Sequence, residues 1–251
     1  MGLRLTVVGC APAYTRRPGN SSSSYLVQHG RTSILLDMGQ GSFGELWRYG
    51  SFADVSAVAI SHMHADHNVD LIPLRHWVRY QNRGYGPALL TPSELRRRFG
   101  DFQADADFMA DFAGEALEPR SFAVGDLRIE AARVRHIPNS FAFRISDPAA
   151  PEAPALVYSG DCGRADDLLP LLRPGDVLLS EAAFGAEDAD PSGIHLTAGE
   201  AARVASEGKA SRLILTHVLD SYERTEVLAV AERRLEGEVQ LAEPGLTVDI
   251  R

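Results

Sequence analysis

The sequence predicts a fold of mixed α and β, and it suggests two β-sheets packed face to face with helices outside. Three observations point that way. Strand-like apolar runs occur in both halves of the chain, helical segments follow each series of strands, and no linker divides the 251 residues. A single domain over residues 1–251 is therefore expected. With 45% hydrophobic and 24% charged residues, the chain has the balance of a globular protein able to bury a sizeable core.

Leu3, Leu5 and Val7 alternate as a strand over Leu3 to Val8, which Gly9-Cys10-Ala11-Pro12 ends. A polar loop, Asn20 to Ser24, precedes a strand from Tyr25 to Gln28. His29-Gly30 reads as a hairpin turn, with His29 exposed, into a strand from Ser33 to Leu36. Next, Gly39-x-Gly41-x-x-Gly44 has the spacing of a dinucleotide-binding fingerprint. A parallel βαβ unit should surround that fingerprint, whereas hairpin signals precede this one, so the match is weak. Val58 and Ile60 form a short buried strand that runs into His62-Met63-His64-Ala65-Asp66-His67.

A helix from Val69 to Gln81 follows, with Arg75, Arg79 and Arg83 on one face. A solvated face is the plainest reading; contact of one arginine with an anionic substrate is the alternative. His76 is expected to be structural. Then come a strand from Ala88 to Leu90, a helix from Pro92 to Phe99, and an acidic helical or lid-like stretch from Asp101 to Glu118. There Asp101, Asp105, Asp107 and Asp111 are expected to face solvent, while Phe102, Phe108, Met109 and Phe112 pack inward. Strands recur at Ser121 to Val124, Leu127 to Val134, Phe141 to Ile145, Ala155 to Tyr158, Val177 to Leu179 and Leu213 to Leu215. Helices are expected over Thr197 to Glu207, where Thr197 and Glu200 form a capping box, and over Thr225 to Leu235.

The chemistry concentrates at the end of the Val58–Ile60 strand. Three of the chain's 8 histidines fall within six positions, which argues against a polar loop that is His-rich by accident. His62 and His64 are two apart, so in an extended segment they leave the chain on the same side and can share one metal ion. Asp66 and His67 can serve a second. Imidazole and carboxylate without thiolate suit zinc, manganese or iron. His136, Asp161 and His217 each follow an apolar strand in the same way. A net charge of −9 argues against a broad basic surface for nucleic acid. Two cysteines, Cys10 and Cys162, make no disulfide framework, and a cytoplasmic location is expected. No membrane-spanning run or signal peptide is seen, and the N-myristoylation match of Met1-Gly2 with Thr6 reads as chance beside a strand starting at Leu3.

His62-x-His64-x-Asp66-His67 resembles the signature of the metallo-β-lactamase superfamily, and Leu35-Leu36-Asp37-x-Gly39 resembles its first motif. The resemblance implies a four-layer α/β/β/α sandwich and two divalent ions, zinc foremost, with manganese or iron as alternatives. It implies that His62, His64 and His136 hold one metal, that Asp66, His67 and His217 hold the other, and that Asp161 bridges them. Asp37 would support the metal-binding loop from behind, and Cys162, beside the bridging Asp161, is not counted as a ligand. Around His136 the pattern His-x-x-x-Ser-Phe-x-Phe-Arg, then Tyr158-Ser159-Gly160-Asp161, Ser180-Glu181-Ala182 and Gly193-Ile194-His195-Leu196-Thr197, resembles the tRNase Z and cyclic-nucleotide phosphodiesterase branch. In that branch the histidine at His195 acts on the phosphoryl group, and Glu181 would orient it. The gap of 161 − 136 = 25 positions leaves no room for the tRNA-gripping arm of tRNase Z.

These features imply a two-metal phosphodiesterase for small diesters such as cyclic nucleotides, with Asp66 taking a proton from the attacking water and His195 donating one. The rivals are an ester, thioester or lactam hydrolase on the same metals, a tRNA 3′-processing-like nuclease without the arm, and a scaffold that has lost its metals. The last is disfavoured because no ligand position is replaced. The expected partner is a small phosphodiester rather than extended nucleic acid or a membrane; a homodimer is left open.

Overall fold

Leu3, Leu5 and Val7 face one side of the first strand and Val8 the other, and this alternation sorts side chains into layers along the whole chain. The computed structural model describes residues 2–82, 86–103, 108–186 and 193–251. In the first half, β1 (Leu3–Gly9), β2 (Ser24–His29) and β3 (Thr32–Leu36) pair antiparallel. Pairing then turns parallel through β4 (Ala57–Ala59), β5 (Ala88–Thr91) and β6 (Gly114–Ala116). Helices α1 (Ser42–Leu46), α2 (Ala65–Asn68), α3 (Leu71–Tyr80) and α4 (Leu95–Gln103) lie in the crossovers that parallel strands require.

The second half repeats the plan. β7 (Ser121–Val124), β8 (Leu127–Arg133), β9 (Phe141–Ser146) and β10 (Leu156–Tyr158) pair antiparallel. β11 (Val177–Glu181), β12 (Arg212–Thr216) and β13 (Glu238–Leu241) add in parallel, with α5 (Ala198–Glu207) and α6 (Arg224–Glu232) between them. β14 (Thr247–Ile250) returns to the first sheet and pairs antiparallel with β1, Leu3 opposite Ile250. The sheet orders are β14-β1-β2-β3-β4-β5-β6 and β13-β12-β11-β10-β9-β8-β7.

Leu5, Val7, Tyr25 and Ile34 of the first sheet meet Phe141, Phe143, Ile145 and Leu179 of the second in one shared core. Behind the first sheet, Leu26, Leu35 and Val58 pack with Leu71, Leu74 and Val78 of α3, spaced by three and four. Behind the second, Val157, Leu178 and Leu213 pack with Ala201, Ala202 and Ala205 of α5 and with Val227 and Ala231 of α6. The result is the expected α/β/β/α order. β3, β4, β10 and β11 are buried along their full length, which is why Ile34–Leu36, Ala57–Ala59, Leu156–Tyr158 and Val177–Leu179 within them read as short apolar runs without polar alternation. Among the described residues no helix is long and apolar enough to cross a membrane.

The capping box is present: the Thr197 hydroxyl accepts from Glu200 N at 3.3 Å, and the Glu200 carboxylate accepts from Thr197 N at 3.0 Å. Other expectations need correction. Residues 101–118 are not one helix: α4 ends at Gln103, a 3₁₀ turn covers Phe108–Asp111, and β6 follows. That turn lies across the arginine face of α3, so Arg75 is buried rather than solvated and its Nε donates to Asp111 at 2.9 Å. Arg79 reaches the same carboxylate at 3.3 Å, so Asp111 is an ion-pair partner and not a solvated acid. Phe108 and Met109 are buried as expected. Arg83, Asp105 and Asp107, and the side chains of Asp101 and Phe102, lie outside the described residues. His29 is half-buried, its Nε2 3.4 Å from the Asp147 carboxylate across the two sheets.

Candidate metal centre

Asp37, Glu181 and His217 stand at or next to the end of a strand, His62, His136 and Asp161 stand three residues beyond one, His64, Asp66 and His67 follow β4 into α2, and His195 stands two residues before the α5 cap. Asp37 (φ 59°) follows β3, Gly160 (φ 56°) follows β10 and places Asp161, and His217 (φ 58°) follows β12. For Asp37 and His217 this left-handed backbone carries strain that a non-glycine residue rarely accepts. His217 is held there by its N–H donating to the Cys10 carbonyl at 3.2 Å. The loop Asp37-Met38-Gly39 passes beneath the histidine motif, where Met38 N donates to His67 O at 2.8 Å. Gly39 permits this contact, since a Cβ there would lie 2.0 Å from Asp66 O. Its glycine serves close chain packing, not a dinucleotide.

The fold brings all seven predicted ligands together. His62, His64, His136 and Asp161 form one group and Asp66, His67 and His217 another, with the candidate ligand atoms of each group within 4.8 Å of one another. Asp161 lies between them: its Oδ2 is 3.6 Å from His62 Nε2, 3.7 Å from His136 Nε2 and 3.5 Å from His217 Nε2, and its Oδ1 is 3.3 Å from His67 Nε2. Asp66 Oδ2 is 3.6 Å from His67 Nε2 and 3.7 Å from His217 Nε2. Ligand bonds of about 2.0–2.1 Å in a tetrahedron put neighbouring donor atoms roughly 3.3 Å apart, so these spacings suit shared cations. The buried atoms His62 Nε2, His67 Nε2 and Asp161 Oδ1 have no hydrogen-bond partner. Buried polar atoms are rarely left so, and three of them where the two groups meet fit divalent ions shared through Asp161.

Each histidine is oriented by its second nitrogen. Ser61 Oγ donates to Asp37 Oδ2 at 2.7 Å, which leaves its lone pairs to accept from His62 Nδ1 at 3.1 Å. His67 Nδ1 donates to Asp37 at 2.7 Å, and His136 Nδ1 to the Ile194 carbonyl at 2.6 Å. His217 Nδ1 lies 3.1 Å from Ser23 Oγ. These contacts aim Nε2 of all four rings inward, while His64 turns Nδ1 toward His136 Nε2 at 3.0 Å. Asp37 also accepts from Ser61 N at 2.6 Å and from the Tyr158 hydroxyl at 2.7 Å, and it touches no opposing ligand atom of the metal groups except through His67. Ser23, Ser61, Tyr158 and the Ile194 carbonyl are supporting groups that sequence reasoning did not assign. Ser61 had a signal, its place beside His62; Tyr158 meets Asp37 from 121 residues away and had none.

Burial pushes the pKa of His62, His64, His136 (to about 4) and His217 down, which keeps these imidazoles neutral and able to bind a metal. His67 goes the other way: burial opposes its charge, but Asp161 and Asp37 together raise its pKa well above the ordinary value. Burial likewise opposes charge on Asp161, yet His217, His67 and His62 hold its carboxyl well below the usual range.

His195 stands beside both groups, its ring 4.8 Å from that of His136 and 6.0 Å from that of His217, with Nδ1 3.9 Å from Asp161 Oδ2. Its Nδ1 donates to Glu181 at 3.0 Å. Glu181 is buried, which raises its pKa to about 7, and it also accepts from Cys162 N at 2.6 Å and Ala183 N at 3.2 Å. Those contacts make it the holder of His195, as anticipated. The Cys162 thiol is buried and donates to the Arg164 carbonyl at 3.2 Å. A cavity of about 330 Å³ opens on the site, walled by His64, Asp66, Asp161, His195 and His217 with Pro12 and Leu219.

The Beta-lactamase superfamily domain matches residues 32–218. The chain is 33% identical over 258 residues to the uncharacterized protein ML1173 of Mycobacterium leprae (strain TN), covering 99% of this chain and 89% of that protein. It is 28% identical over 245 residues to the probable metallo-hydrolase YhfI of Bacillus subtilis (strain 168), covering 97% and 98%. The crystal structure of YhfI aligns with a TM-score of 0.86 at 26% identity, covering 99% of this chain and 100% of that one. A Ribonuclease Z of Natronomonas pharaonis is 27% identical over 307 residues, covering 100% and 98%.

Proposed function

This chain belongs to the beta-lactamase superfamily and is a metallo-hydrolase, and on that premise we propose that it hydrolyses small phosphodiesters, cyclic nucleotides among them, using two divalent ions. The observation that carries the reading is His195. It adds a protonatable donor, fixed by a buried carboxylate, beside two complete ligand groups. A phosphoryl group has one more charged oxygen than an acyl group, and that oxygen or the departing alkoxide is where such a donor acts.

His62, His64, His136 and Asp161 would hold one ion, and Asp66, His67 and His217 with Asp161 the other, zinc being the ion that this imidazole and carboxylate set suits best. When bound, the ions supply Lewis acidity that offsets charge on phosphoryl oxygens and acidifies water. Asp66, on the cavity wall, takes the proton of the attacking water. His195, its Nδ1 held by Glu181, donates a proton from the ring's other nitrogen to the departing oxygen as the P–O bond breaks.

The size of the substrate is argued from the chain between His136 and Asp161. It consists of β9, β10 and one connecting loop, with Ile145 opposite Leu156, and projects no arm that could grip a folded RNA. A Ribonuclease Z among the relatives supports phosphodiester chemistry, and the missing arm favours a small diester over tRNA. The test compares kcat/KM of metal-loaded protein for a cyclic nucleotide, a linear aryl diester, a thioester and a lactam. Diester cleavage is the expected result. Efficient thioester or lactam cleavage without diester turnover would overturn the proposal in favour of acyl chemistry on the same metals.

A further inference from the structure

A second cavity, of about 240 Å³, adjoins the candidate metal cavity, and Ala65 lines both. Its remaining walls are Met63, Asn68, Val69, Ile72, Arg98 and Phe99. We propose that it is the subsite for an aromatic ring on the ester group that stays on phosphorus, so that the preferred substrates are diesters whose retained group bears an aryl ring or a nucleobase. The inference rests on the phosphodiesterase reading, because it concerns the other end of the same molecule.

The histidine motif itself builds the two cavities. In the extended stretch, His62 and His64 point to the metal groups and Met63 points away from them. Once the chain turns helical, Asp66 and His67 continue on the metal side. Ala65, Asn68, Val69 and Ile72 follow the i, i+3, i+4, i+7 spacing of one helical face, and that face lines the second cavity. The residues between the ligands thus form a wall continuous with the site, and the small, exposed Ala65 is the step between the two spaces.

The lining chemistry decides what fits. Asn68 is the wall's amide; its Nδ2 already donates to the carbonyls of His64 at 2.6 Å and His62 at 3.3 Å, which leaves Oδ1 as the one amide atom open to a ligand in a mostly apolar wall. Met63 offers a polarizable thioether, Phe99 a ring and Arg98 an exposed guanidinium, and all three favour an aromatic face. Among the described residues, no carboxylate pairs with Arg98. The volume is below the roughly 300–1,000 Å³ of a drug-sized pocket, which suits one ring system.

Two diesters with the same leaving group separate the possibilities: phenyl p-nitrophenyl phosphate and methyl p-nitrophenyl phosphate. Metal-loaded protein is expected to favour the phenyl ester by about tenfold or more in kcat/KM, chiefly through KM. Arg98→Ala, a surface change, and Ile72→Asp, which puts a charge in the apolar wall, should each shrink that ratio severalfold. Calorimetric titration with phenylphosphonate and methylphosphonate gives a readout without turnover, and the phenyl compound should bind more tightly. Equal kcat/KM for the two esters, or a ratio that neither variant moves, overturns the subsite. A stronger preference for an octyl than for a phenyl ester overturns its aromatic character. If neither diester is hydrolysed, the phosphodiesterase reading falls, and the phosphonate titration alone decides the subsite: no preference for phenylphosphonate rejects it.

Discussion

His136 and His195 lie ring to ring, yet the group that holds Nδ1 differs: the Ile194 carbonyl for His136 and the buried Glu181 carboxylate for His195. A carbonyl fixes a neutral tautomer with its lone pair at Nε2, which is what a metal ligand needs. A carboxylate can support a proton on the ring, which is what a general acid needs, although it also holds the candidate ligand His67 through Asp37. What sets His195 apart is that it stands outside both histidine-rich groups, beside Asp161 and Glu181. Replacing His195 with Ala is expected to leave both metals in place and lower turnover by about a hundredfold or more. Metal analysis and steady-state kinetics on the variant check this; lost metal would make His195 a ligand, and unchanged turnover would leave it as a residue of the approach to α5, two positions before the Thr197 cap.

At the scale of elements, each sheet delivers its ligands from the ends of strands, so the strands must be anchored against one another. β9 is anchored by Arg144, which is buried and forms a bidentate pair with Asp176, Nε to Oδ2 at 3.0 Å and Nη2 to Oδ1 at 3.2 Å. Asp176 stands just before β11 and also accepts from Ala155 N at 2.8 Å and Arg173 N at 3.0 Å. It thereby ties β9, the start of β10 and the turn into β11 together. Replacing Asp176 with Ala leaves the buried guanidinium with only its 3.3 Å contact to Glu130 and strands two backbone donors, and about 3 kcal/mol of stability should be lost. Urea unfolding measures it, and an unmoved midpoint would show that the pair is dispensable. The α5 capping box lies on the surface side of the same sheet, and removing it through Thr197→Ala should cost less, about 1 kcal/mol.

For the whole molecule, the consequence of this architecture is a site sewn between two sheets. Asp37, His62, His64 and His67 come from the first, and His136, Asp161, Glu181, His195 and His217 from the second. Cations held there bind the folded chain and not the unfolded one, so they should stabilise the whole sandwich. At a hundredfold excess over Kd one ion contributes about 2.7 kcal/mol, which for a chain of this length is roughly 5–10 °C in Tm. Chelation should lower Tm by that amount and readdition of zinc should restore it, as calorimetry can show. A Tm indifferent to chelator would mean that the two groups do not hold metal in the folded protein.

What the sequence by itself determined is the set of strands that lead into candidate ligands and the chemistry those side chains offer. Apolar runs of period two, stopped by His, Asp or Gly, are local signals, and local signals survive without a structure. His62, His64, Asp66 and His67 were legible because they lie within six positions, and Asp37, His136, Asp161, Glu181, His195 and His217 because each follows or borders a recognisable motif. β6, β13 and β14 were not legible: they are short strands at or near the sheet edges, largely exposed or half-buried, with weak patterns of their own. Arg75 was misjudged because i, i+4 spacing defines a face but not what covers it, and here a distant turn brings Asp111 onto it. Only the tertiary structure decided such long-range pairings, among them Tyr158 with Asp37 and Asp161 with histidines of both sheets. The physical reason is the same in each case: a strand's residues declare which way they point, whereas what they meet is settled by the packing of elements far apart in the chain.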